Sequence, residues 1–263
     1  MPHARTPSSM INPPDDPIFA ICAVAAAIFI GLSKGGVPVI GMLGVPVLAL
    51  VISPLRAAAL LLPIYVVTDM FGLWAYRRQF SRRNLNILVP AAILGITIGW
   101  MTATILPEAL VALIVGVIGV GYCLDLWLKR KRSAAPREAD IPRGLFWGAL
   151  TGFTSFVSHS GAPPYQMYVM PQRLPKLVFA GTSTILFAIV NLVKLLPYWA
   201  LGQLSMDNLK TAAWLFPIGI VATFMGVRLV KVLPEELFYR LITIGLFLIS
   251  AKLAIDGTRA LLD

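Results

Sequence analysis

Gly31-Leu-Ser-Lys34-Gly35-Gly36-Val-Pro38-Val-Ile-Gly-Met-Leu-Gly-Val-Pro46 cuts through residues 18–55, a run in which Lys34 is the sole charged side chain. One membrane span takes about 20 apolar residues. The run is therefore too long for one helix and fits two, or two half-helices meeting at a break. Glycine surrenders backbone order and proline lacks an N–H, so the stretch marks the break itself. Broken backbone carries free polar groups that lipid cannot satisfy, and at membrane depth it survives only inside protein or against a watery cavity. A weaker echo, Ser158-His159-Ser160-Gly161-Ala-Pro163-Pro-Tyr-Gln-Met-Tyr-Val-Met-Pro171, interrupts the charge-free run 145–172. Matched breaks, one per half, point to a transporter's binding site.

Composition agrees. Hydrophobic residues are 58% of the 263 and charged residues 13%, about half the charged share of a soluble domain. The mean hydropathy is +0.81. An all-α, polytopic helical membrane protein is expected, with about eight apolar segments. The formal charge of +10 does not argue for nucleic acid, because the basic residues bunch beside apolar runs as topology determinants do. Cys22 and Cys123 lie in apolar runs without metal-ligand or redox spacing and read as small core residues. No cofactor, metal or nucleic-acid partner is expected; the lipid bilayer and a small anion are, and homo-oligomerisation is left open.

The chain divides into a polar tail (1–16), a first membrane repeat (17–128), a basic linker (129–143) and a second repeat (144–263). The tail reads as uncleaved, since it lacks the short bounded apolar core of a signal peptide. Further spans are expected at 57–76, 85–106, 109–128, 177–201, 211–227 and 237–255. Pro90, Gly99 and Pro107-Glu108 recur 127 positions later as Pro217, Gly226 and Pro234-Glu235. Gly36, Pro38 and Pro46 recur 125 positions later as Gly161, Pro163 and Pro171. These anchors indicate an internal duplication. Segments 77–83 and 129–143 hold ten of the 22 basic residues, which places both in the cytoplasm. In the second half the bias reverses: 202–208 has no basic residue, while Arg228 and Lys231 flank the turn at 233–236. The expectation is inverted repeats, each opening with a broken or re-entrant hairpin.

Lys34 lies deep in an apolar run, where an ammonium costs roughly 2.5–3.5 kcal/mol on insertion scales. Next to Gly35-Gly36 it reads as the start of a half-helix, whose free N–H groups and dipole favour an anion. The competing reading is a tip residue reaching the far interface. His159 occupies the matching break and is a candidate for substrate contact or proton coupling; the bland reading is a satisfied core histidine. Ser158 and Ser160 add hydroxyls suited to an oxyanion, and no acidic partner or nucleophile elbow makes them catalytic. Asp69, inside the second span, suits a partner for Lys34 or Lys194, or a proton relay; a place at the cytoplasmic interface is the preferred reading. Asn191 and Lys194 share a helix face at i, i+3, with Lys194 close enough to the span's end to snorkel.

The two repeated units, the Gly-rich first break, and the second break with Ala180-Gly-Thr-Ser183 beyond it resemble the TauE/SafE family of sulfite and organosulfonate exporters. The likeness covers about 18–256. It implies a secondary transporter, not an enzyme, moving a small and often sulfur-containing anion across the inner membrane with coupling to protons or the membrane potential. By motif position it implies a site at Lys34, Gly35, Gly36, Pro38, His159, Ser160, Gly161 and Pro163. Asn191 joins this set as a substrate contact, with His159 and Asp69 as proton-coupling candidates. An anion channel of the same architecture is the alternative, an intramembrane enzyme the remote one.

Overall fold

A computed structural model describes residues 17–102, 105–128, 136–200 and 206–262. The tail 1–16, the linker's 129–135 and most of the loop 202–208 lie outside the described residues. The described chain is helical, with no strand. Six helices are long and apolar enough to cross a membrane by length and composition, and the protein is a multi-pass membrane protein.

The first break follows α1 (Pro17–Lys34). Gly36 adopts φ +114, a left-handed value that side chains rarely take. A 3₁₀ turn at Pro38–Leu43 and the short α2 (Gly44–Leu48) follow. Lys34 therefore ends a helix and does not begin one, a correction with a plain cause: Gly35-Gly36 stop α1 after the lysine. A cation in a last turn suits the helix dipole. The long α3 (Pro54–Tyr76), α4 (Arg82–Thr102) and α5 (Glu108–Leu128) follow.

In the second half α6 (Ile141–Ser158) is capped by Asp140, whose carboxylate accepts from Arg143 N. It ends at His159, itself left-handed at φ 52. α7 (Ala162–Val169), with proline in its first turn, leads through a 3₁₀ turn at Met170–Gln172 to α8 (Lys176–Ala200). The span expected at 211–227 is divided. α9 (Met206–Ala213) stops short of Pro217, which opens α10 (Phe216–Val232), because proline is tolerated in a first turn and not within one. α11 (Glu235–Leu262) completes the chain.

The main helix pairs are α1 with α10, α4 with α6, α3 with α8 and α5 with α11. Small residues bring backbones close, as in membrane helix packing generally. A Cβ on Gly35 would lie 2.4 Å from Gly226 Cα, and one on Gly152 would lie 1.9 Å from Ala92 O. Tyr76 Oη donates to Gly35 O at 2.5 Å, and Thr184 Oγ1 donates to Lys34 O at 3.2 Å. Residues of α3 and α8 thus satisfy the carbonyls that the first break sets free. The second break is tied down near its end, where Gln172 and Asn84 exchange side-chain amide hydrogen bonds of 2.9 and 3.1 Å.

Candidate functional site

Both breaks border one cavity of about 50 Å³. Lys34 and Pro38 reach it from the first break, and His159 and Gly161 from the second. α8 supplies a wall through Ser183, Phe187, Asn191 and Lys194, residues three or four apart and so on one helix face. Tyr65 on α3 and Ser155 on α6 close the sides.

Lys34 Nζ lies 2.7 Å from Asp69 Oδ1, and both side chains are 5% exposed. Asn191 Nδ2 donates to the other oxygen, Asp69 Oδ2, at 2.8 Å. The carboxylate is thereby held from both sides. Lys34 Nζ also stands 5.2 Å from the centroid of the Tyr65 ring, within reach of a cation–π attraction. Lys194 Nζ donates to Ser155 O at 3.0 Å and lies 3.2 Å from Ser155 Oγ. Tyr198, one turn further along α8, shares a 2.8 Å hydrogen bond with His159 Nε2. Among the described residues Lys34, Asp69 and Lys194 are the only Lys, Arg, Asp or Glu side chains that are buried. Two lysines and one carboxylate thus share the protein's interior.

Of the residues expected at a site, Lys34, Pro38, His159, Gly161 and Asn191 line the cavity. Gly35 and Gly36 lie outside its lining and serve packing, the first against Gly226 and the second against Tyr76 and Ala180. Pro163 sits in the first turn of α7. Ser158 and Ser160 are turned onto backbone, donating to Thr154 O and Ser158 O, so neither hydroxyl is aimed at a ligand. Asp69 is buried in the protein against Lys34. Lys194 does not snorkel: its residue is 2% exposed.

Sequence reasoning did not select Ser155, Tyr65, Ser183 or Thr184. The spacing 183, 187, 191, 194, 198 along α8 was the available signal, since it places Ser183, Asn191, Lys194 and Tyr198 on one face with Phe187.

A family model described as sulfite exporter TauE/SafE matches residues 21–253. No curated protein and no solved structure matches the chain. The chain belongs to the TauE/SafE family, a family of membrane transporters.

Proposed function

We propose that this member of the TauE/SafE family is a secondary transporter that carries a small sulfur-containing oxyanion, sulfite or a compact organosulfonate, across the inner membrane. The observation behind this reading is the charge of the cavity. Its lining includes two lysines and an imidazole, and Asp69, the one buried carboxylate among the described residues, is already committed to Lys34 and Asn191. An uncompensated ammonium in a low-dielectric interior costs several kcal/mol. A bound anion removes that cost, and the hydroxyls of Ser155, Ser183 and Thr184 border the same space.

Size narrows the class. A water needs about 10–15 Å³ on this measure, so the cavity's volume of about 50 Å³ admits roughly three to five waters. Sulfite fills such a space; a longer sulfonate requires the chamber to widen. Lys34, His159 and Asn191 belong to the substrate chamber in this reading. His159 and Asp69 are the groups through which proton movement is coupled to that of the anion. The repeats are inverted, with 77–83 and 129–143 on the cytoplasmic side.

Uptake of labelled sulfite into proteoliposomes, under imposed proton gradients and potentials, tests the reading. Saturable flux that responds to either gradient and is inhibited by thiosulfate or a small sulfonate is expected. Flux that rises linearly without saturation is the behaviour of a channel. Flux of acetate or lactate in preference to every sulfur oxyanion overturns the substrate class.

A further inference from the structure

The cavity's charges differ between the two halves of the sequence. The offset of 125 residues that relates Gly36, Pro38 and Pro46 to Gly161, Pro163 and Pro171 also relates Lys34 to His159 and Asp69 to Lys194. In the first half the break carries a cation and the long helix after it a carboxylate, and the two pair at 2.7 Å. In the second half the break carries an imidazole and the long helix a second ammonium. The corresponding positions therefore hold a close ion pair on one side and two basic side chains on the other.

Lys34 is the less suited of the two lysines to hold a ligand. Its ammonium already faces Asp69 Oδ1 and the Tyr65 ring. Lys194 hydrogen-bonds the carbonyl and hydroxyl of Ser155, at 3.0 and 3.2 Å, and among the described residues makes no ion pair as close as that of Lys34. An ammonium has three N–H donors, so one has no acceptor recorded among the described residues. Lys194 and His159 both line the cavity, and the histidine's Nε2 is tethered by Tyr198. Ser155, Lys194 and His159 thus form a buried, partly satisfied set on the second-half side of a space that both breaks border.

Resting on the anion-transport reading above, we propose that Lys194, more than Lys34, holds the transported anion. The oxyanion lies between the Lys194 ammonium and His159, with the Ser155 hydroxyl alongside. The Lys34–Asp69 pair shows within the same protein that a buried lysine here accepts an anionic oxygen at 2.7 Å.

The test is sulfite binding to the purified full-length protein in lipid nanodiscs, measured with labelled sulfite and by ligand-induced thermal shift. Lys194→Met is expected to weaken sulfite affinity at least ~30-fold, the range seen when one partner of a buried charge pair is truncated. Its ligand-free unfolding temperature should be no lower than that of the wild type, because a buried cation has been removed. Lys194→Gln serves the same comparison should the methionine variant not be recovered. The double variant K34M/D69N removes the first-half pair as a unit and should weaken sulfite binding by a smaller factor than Lys194→Met. The double variant H159K/K194D writes the first-half pair into the second half and should lose the sulfite-induced shift. Sulfite binding by Lys194→Met at wild-type affinity overturns the proposal, as does a larger loss in K34M/D69N or a wild-type response in H159K/K194D. A wild-type protein that binds neither sulfite nor thiosulfate overturns instead the anion-transport reading on which the proposal rests.

Discussion

Replacing Gly152 with alanine should loosen the seam between α4 and α6, and the structure sets the size of the effect. The added Cβ would lie 1.9 Å from Ala92 O, 2.6 Å from its carbonyl carbon and 2.7 Å from its Cα. All three are backbone atoms, so no side chain can swing aside. Ordinary contact begins near 3.4 Å, and the helices must part by about 1.5 Å to reach it, which backbone on both sides resists. The same seam is tight in the reciprocal direction, where a Cβ on Gly95 would lie 1.9 Å from Ala149 O, so one displacement disturbs both contacts. Overpacking of this type costs about 1–3 kcal/mol, occasionally more. For a chain of this size that corresponds to a fall of roughly 2–12 °C in unfolding temperature. Gly121→Ala is the control, because its Cβ would meet nothing within 4 Å. Its effect should be neutral or stabilising by up to about 1 kcal/mol through lower backbone entropy and better helix propensity. The assay is thermal unfolding of both variants in one detergent. A Gly152→Ala protein as stable as the wild type, or a Gly121→Ala protein destabilised to the same degree, refutes the packing argument.

The Lys34–Asp69 pair should show strong coupling in a double-mutant cycle. Asp69→Ala leaves buried ammonium groups uncompensated and should destabilise by about 3–5 kcal/mol, while K34M/D69N should cost less than either single change; additive effects in chemical denaturation would count against the pair. The basic segment around Arg77 and Arg78 should lie on the cytoplasmic side and 202–208 on the opposite one. Single cysteines at Gln79 and Gln203 probed with a membrane-impermeant thiol reagent check this, and labelling of both from one face would remove the inverted arrangement.

Much of the architecture was open to reading in the sequence because lipid leaves a helix few ways to stop. The basic clusters after Tyr76 and Leu128 and the Gly/Pro breaks after Lys34 and Ser158 coincide with ends of α3, α5, α1 and α6. The depth of individual charges was harder to read, since distance along a span says nothing about which face a residue occupies. Asp69 is 3% exposed while its neighbour Met70 is 66% exposed, and Lys194 is 2% exposed between Leu192 and Leu196 at 62% and 63%. Which of these neighbours turns inward is decided by packing and not by position along the span. The hydroxyl residues of the cavity were also hidden, because Ser and Thr on apolar helices commonly bond their own backbone, as Thr151, Thr154 and Thr223 do here. The charge reversal between Asp69 and Lys194 did stand in the sequence, at the same offset as the prolines.

The pairing of α1 with α10 and of α4 with α6 has a consequence for the protein's birth. α1 leaves the ribosome well before its main partner, since the helix it packs against begins at Phe216, nearly 200 residues later. At about 5–20 residues per second, α1 waits roughly 10–40 s for that neighbour. During the wait its lysine must already be accommodated at depth, and α3 brings Asp69 within reach long before α10 exists. The Lys34–Asp69 pair can form as soon as α3 is made, giving the cation a partner before α10 exists. Loss of Asp69 should therefore be felt in insertion yield, at the translocon, earlier than in the finished carrier.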